Sequence, residues 1–304
     1  MPTARLSDIR TEDKHMEQKI TMKRTIVFCV ITFALTWLLA ALIPIMGASY
    51  GGMESLVILA LCMFMPALGN VLTRLFTKQG FRDFKLAPRF KGNGANYLFA
   101  YFCFIILVYL GVLVYYLVYR DQFNLTAFIM WNPDSAEYNV QFVQIINLII
   151  ATAISPVINV IPTLGEELGW RGYLLYGLKD SCGSFKAVLY TGIIWGIWHA
   201  PMIAMGHNYG TDYPGYPYVG ILMMIVFCVV IGIIEGYITL RTGSVLPAAI
   251  CHSAINGLGS IGILFCNTTE YRMLVGPAYM GVIPLIPTIL FAVYVLYRIK
   301  KEAL

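Results

Sequence analysis

An all-α polytopic bundle of about eight transmembrane helices, with both chain ends on the cytoplasmic face, is what the sequence predicts. Three observations predict it. First, 59% of the 304 residues are hydrophobic and only 12% are charged, about half the charge of a soluble domain. A mean hydropathy of +0.72 leaves more apolar surface than one interior can hide, so the solvent is lipid. Second, the apolar residues fall into runs of spanning length, about 20 residues. Third, lysine and arginine alternate between the connections. These observations exclude a secreted globular protein, a disordered chain and a nucleic-acid-binding domain. The net charge of +5 has a membrane explanation and implies no nucleic acid.

The apolar runs are 25–47, 55–76, 96–119, 142–178, 187–206, 218–240, 245–265 and 274–298. The fourth is too long for one straight crossing. Residues 1–24 read as a polar cytoplasmic tail carrying Arg5, Arg10, Lys14, Lys19, Lys23 and Arg24, with no cleavable leader. Residues 25–304 form a single transmembrane domain. The second connection holds Lys78, Arg82, Lys85, Arg89 and Lys91; Lys179, Lys186 and Arg241 fall in later even-numbered connections; Arg298, Lys300 and Lys301 close the chain. The odd-numbered connections (48–54, 120–141, 207–217, 266–273) hold only Arg120 and Arg272. By the positive-inside rule the even connections are cytoplasmic, which makes this a multi-pass protein of the cell membrane. The cysteines at 29, 62, 103, 182, 228, 251 and 266 show no CxxC spacing and read as small apolar residues.

Ionisable groups inside spans are costly and mark function by default. Here they are Glu166, Glu167, Arg171, His199, Glu235 and His252. Glu167 and Arg171 stand i, i+4, within ion-pair reach on one face. Glu166 points about 100° away from Glu167. Trp195 and His199, and His252 and Asn256, are also one turn apart. Read singly, each group has a structural role: an ion pair for Glu167 and Arg171, an interhelical hydrogen bond for either histidine, a cation such as Arg241 or the inner interface for Glu235. His207 reads as a surface residue. Read together, an unpaired glutamate, two histidines and an asparagine form a site.

At 1.5 Å per residue, Glu166 lies ~20 Å, His199 ~18 Å and His252 ~10 Å from the cytoplasmic end of its helix. The three therefore meet in a pocket placed nearer the cytoplasm. A carboxylate and an imidazole in a dry pocket hold and deprotonate water. A second imidazole and an amide stabilise an oxyanion. No Ser or Cys occupies a nucleophile motif. Glu166, His199 and His252 are also acceptable ligands for a divalent metal such as zinc, and the residues leave metal-assisted and metal-free water activation both open.

Glu166-Glu167-Leu-Gly-Trp-Arg171 matches E-E-x-x-x-R, Trp195-Gly-Ile-Trp-His199 resembles F-x-x-x-H, and His252-Ser-Ala-Ile-Asn256 matches H-x-x-x-N. In this order within consecutive spans they resemble the CPBP family, which groups type II CAAX prenyl proteases with bacteriocin-processing and bacteriocin-immunity membrane proteins. The resemblance covers about 150–265, the CPBP-like core. It implies an intramembrane endopeptidase, named in that family a metallo- or glutamate protease, acting on a prenylated or other membrane-associated peptide. Glu166 would be the base, His199 its partner in positioning water or metal, His252 and Asn256 the oxyanion donors, Glu167 and Arg171 the supports. Trp195 departs from the usual Phe. The alternative is a non-catalytic scaffold or immunity protein of the same fold. A transporter would need paired broken helices, and Pro156 and Pro162 find no counterpart. Natural substrate and oligomeric state are not legible.

Overall fold

A computed structural model describes residues 20–130, 133–137 and 139–304. The cations of the tail up to Lys19 lie outside the described residues. The described chain is helical, with no strand beyond an isolated bridge between Phe123 and Cys266.

The first helix, α1 (Met22–Ile45), starts where Thr21 accepts a hydrogen bond from the Arg24 backbone N–H. It is followed by α2 (Met53–Phe76), α3 (Gly94–Val118) and α4 (Val140–Ile158). Past a break at Asn159 comes α5 (Val160–Gly169), prolonged through a π-helical turn, Trp170–Leu174, into Leu175–Cys182. The remaining helices are α6 (Ser184–Trp198), α7 (Tyr218–Thr242), α8 (Leu246–Phe265 with its terminal 3-10 turn) and α9 (Val282–Glu302).

Seven of these are long and apolar enough to cross a membrane. The expected fifth span is the one that falls short. α6 has 15 residues and a four-residue continuation, Ala200–Ile203, beyond a break at His199. Pro201 causes the break: it has no N–H for the carbonyl four residues back, and its ring crowds that carbonyl. The chain therefore bends at a residue singled out for chemistry.

The long fourth run divides as its length required. α4 is only 11% buried and rides the rim, whereas α7 and α8 are 61% and 67% buried and form the centre. Without a hydrophobic force between helices in lipid, close approach depends on small residues. Gly192 and Gly196 let α6 lie directly on α7: a Cβ at Gly196 would stand 2.4 Å from the Ile225 Cα. Gly165 and Gly169 do the same for α5 against α2, where a Cβ would come within 2.8 Å of the Met63 carbonyl and 2.4 Å of Pro66. These contacts flank the two glutamates and fix their height.

Hydrogen bonds sort the connections onto two faces. On one, Tyr50 bonds His207, Tyr209 donates to the Met280 carbonyl at 3.4 Å and Asn124 N–H to the Phe265 carbonyl at 2.8 Å. On the other, Val245 N–H bonds the Lys85 carbonyl at 3.0 Å, Arg24 reaches the Thr77 carbonyl at 3.2 Å, and Ser184 bonds the Leu304 carbonyl. Buried Arg74 knots this second face, donating to Asn70 Oδ1 and to the carbonyls of Gly80 and Asp83 at 2.7–2.9 Å. Asn70 in turn donates to the Leu168 carbonyl at 2.7 Å, beside the glutamates.

Replacing Gly196 by Leu should drive α6 off α7. A loss of about 1–3 kcal/mol is expected from overpacking, read as a lowered thermal midpoint in detergent. An unchanged midpoint would show that the close approach is not needed.

Candidate active site

Adjacent positions on α5 send Glu166 and Glu167 to different neighbours, as helical geometry demands. Glu166, 3% exposed, faces a cavity of about 410 Å³. Its Oε2 accepts a hydrogen bond from Trp195 Nε1 at 2.9 Å. Glu167 turns into the bundle and is fully buried. Its Oε1 receives Arg171 Nη1 at 2.8 Å and His252 Nδ1 at 2.9 Å. The other arm of Arg171 ion-pairs with Glu235 on α7. The i, i+4 pair read from the sequence is thus one edge of a larger cluster joining α5, α7 and α8.

Glu235 does not pair with Arg241, as one reading of the sequence had it. Arg241 sits at the cation-rich end of α7, 3.9 Å from Glu302 and bonded to Tyr237. Glu235 is fully buried, and Arg171 is its partner. A guanidinium set seven residues inside its apolar run was the available signal.

Trp195 connects the two halves of the site. Its indole N–H holds Glu166, and its ring lies 4.2 Å below the Arg171 guanidinium. Its edge meets His252 at 5.2 Å. Its carbonyl pairs with His199 Nδ1 at 2.9 Å. With the proton on Nδ1, that bond leaves the His199 Nε2 lone pair free. Trp198 flanks the His199 ring at 4.7 Å. The indole N–H is the donor that reading the residue as an aromatic volume concealed, because a Phe at this position would supply the ring without it.

Four of the sequence-predicted residues, Glu166, His199, His252 and Asn256, line the same cavity. Asn256 is an exposed residue of its wall, one turn beyond His252. Glu167 and Arg171 stand behind the wall as supports. A fifth polar residue joins them. His207 lines the cavity rather than the protein surface, stacked on His199 at 6.3 Å and hydrogen-bonded to Tyr50. A histidine in a connection carries no periodicity, so only the bend after His199 brings it back over the site.

The cavity wall includes Tyr50, His207, Asn208, Ser260 and Met280, from the half of the bundle away from the cation-rich connections.

A zinc site would hold its donor atoms roughly 3.3 Å apart. Among the described residues, the trio with ligand atoms within 4.8 Å of one another is Glu167, Glu235 and His252. Arg171 already bridges its two carboxylates, and a second cation there would be repelled. Glu166, His199 and His252 form no such group as placed, so the arrangement does not fit a tetrahedral metal.

The described helices and these buried groups define a multi-pass integral membrane protein with a carboxylate–imidazole cavity. Residues 144–258 match the family described as type II CAAX prenyl endopeptidase, Rce1-like. The matched segment runs from α4 into α8 and includes all six candidate residues. A 44-residue stretch is 46% identical to a CAAX prenyl protease 2 of Methanococcus maripaludis, covering 14% of this chain and 16% of that protein. The alignment thus spans about a sixth of the curated relative. The resemblance read from three short motifs extends, in the family match, across the whole helical core that carries them.

Replacing Arg171 by Met should leave Glu167 and Glu235 buried without a cation. A loss of about 3–5 kcal/mol is expected for a broken buried pair, measured as thermal unfolding in detergent. The double change Arg171→Met with Glu235→Gln should recover part of it. If the single variant unfolds like wild type, the cluster is not a structural centre.

Proposed function

We propose that this protein is an intramembrane endopeptidase that hydrolyses a peptide bond of a membrane-associated peptide or protein with water activated by Glu166. The observation carrying this reading is the convergence of Glu166, His199, His252 and Asn256, from three helices, on one cavity. The family match supports it. The name of the Methanococcus maripaludis relative makes a prenylated CAAX chain one candidate substrate. The cation distribution supports a cell-membrane protein with both ends in the cytoplasm.

The mechanism follows from the donors and acceptors present. Water held between a Glu166 oxygen and His199 Nε2 loses a proton to Glu166 as it attacks the scissile carbonyl. Trp195 N–H holds one Glu166 oxygen and so orients the other. As the carbonyl oxygen gains charge, the Asn256 amide donates to it from the wall. His252, whose Nδ1 is tied to Glu167, presents Nε2 to the same region. When the tetrahedral adduct collapses, Glu166 returns its proton to the departing amine. Fixed dipoles at the developing charge are usually the largest catalytic contribution, and His252 is held by Glu167 before substrate arrives.

A purified preparation in lipid nanodiscs, given a pool of membrane-associated fluorogenic peptides, tests the assignments. Glu166→Gln should abolish cleavage while the protein remains folded; undiminished cleavage would remove Glu166 as the base. Asn256→Ala should lower kcat about 10²–10³-fold, the cost of one oxyanion donor. Trp195→Phe keeps the ring but frees Glu166. It should lower kcat with little change in KM, whereas a purely packing role predicts no kinetic effect.

A further inference from the structure

Among the imidazoles of the cavity, His207 is the one that neither the three sequence motifs nor the proposed mechanism employs. Its backbone is fixed by the bend that follows His199. The Ile203 N–H bonds the His199 carbonyl at 3.0 Å, the Gly206 N–H the Ile203 carbonyl at 2.9 Å, and the His207 N–H the Met202 carbonyl at 3.0 Å. Gly206 takes a φ of +97°, a conformation that glycine adopts without steric cost. The turn therefore brings residue 207 back over residue 199. The two rings end nearly parallel, with 10° between their planes and 6.3 Å between their centres.

Both rings are held at Nδ1, but by partners of opposite character. A carbonyl can only accept, so the Trp195 carbonyl keeps the His199 proton on Nδ1 and a lone pair on Nε2. A hydroxyl can donate. With the Tyr50 O–H donating to His207 Nδ1, the His207 proton sits on Nε2. Among the described residues no hydrogen bond engages either Nε2. One histidine thus keeps a free acceptor and its neighbour a free donor. An extended peptide offers the matching groups, because each backbone unit carries one N–H and one carbonyl. The acceptor, His199 Nε2, is taken by the attacking water in the proposed mechanism. The donor is left for an oxygen of the peptide itself.

We infer that His207 is a substrate-binding residue: its Nε2–H donates to a backbone carbonyl of the peptide next to the scissile bond, and Tyr50 is the positioning residue that keeps the proton on that nitrogen. This deepens the peptidase reading and rests on it for the peptide. The contact differs in kind from that of Asn256. The scissile oxygen gains charge during reaction, whereas a neighbouring carbonyl does not. A contact of equal strength in ground and transition states lowers KM and leaves kcat nearly unaltered. Because it reads backbone, it serves peptides of different side chains.

The test uses the full-length protein in lipid nanodiscs and the fluorogenic peptide pool. His207→Ala should raise KM about tenfold, one hydrogen bond at the upper end of its usual worth, with kcat within about twofold of wild type. His207→Gln sets an amide N–H near the same point and should keep KM within about threefold. Tyr50→Phe keeps the ring, releases Nδ1 and should raise KM about threefold; it carries the test if His207→Ala does not fold. An unchanged KM in the folded variants would overturn the inference. So would a loss in His207→Gln as large as in His207→Ala, since packing rather than donation would then be at work. Binding of the same pool to the Glu166→Gln protein, read by fluorescence anisotropy, separates this inference from the reading it rests on. Adding His207→Ala should weaken that binding about tenfold, and equal binding would overturn the inference. Binding that depends on His207, from a pool that wild type does not cleave, would uphold the contact and refute the peptidase reading. No binding by either protein would overturn both.

Discussion

Arg171 holding Glu167 and Glu235 together in the centre of the bundle is the interaction on which the other features depend. Three helices meet at this cluster, α8 through His252 on Glu167, and none could present its ionisable residue to lipid without a large solvation cost. The cluster therefore specifies the register of α5, α7 and α8 against one another. Once that register is set, His252 is tied to Glu167 and Trp195 lies under the cation. Glu166 then has one direction left, into the cavity. The glycines of α5 and α6 complete the arrangement by letting α2 and α7 approach closely enough to close the wall.

The site thereby divides two adjacent glutamates into different tasks. Glu167 bonds Arg171 and His252, while Glu166 keeps an oxygen towards the cavity, the one that takes the proton in the proposed mechanism. An indole N–H rather than a cation holds Glu166, which restrains the carboxylate without neutralising it. His199 sits where Pro201 ends its helix, so its ring projects from a helix end towards the cavity. The resulting donors and acceptors are anchored by packing before any substrate is bound, which is the preorganisation that electrostatic catalysis requires.

Much of this was legible in the sequence, and physics explains which part. Ionisable residues stand out in lipid-facing runs, so Glu166, Glu167, Arg171, His199 and His252 announced themselves, and i, i+4 spacing gave the Glu167–Arg171 pair. Asn256 followed from its place one turn after His252. Other features depended on tertiary contacts that spacing does not encode. His207 joins the cavity because the chain folds back after Ile203. Glu235 was visible, but its partner is on another helix. Trp195 was read as an aromatic volume, and its N–H mattered. The span count came out at seven by length because one proline, Pro201, shortens α6 below a full crossing.

An experimental structure that resolves internal water would examine the convergence of these side chains most directly. A water within hydrogen-bonding distance of both Glu166 and His199 Nε2, with Asn256 and His252 facing it across the cavity, is the result this arrangement predicts. Glu166 or His199 turned into the lipid, or separated by packed side chains with no room for solvent between them, would contradict it.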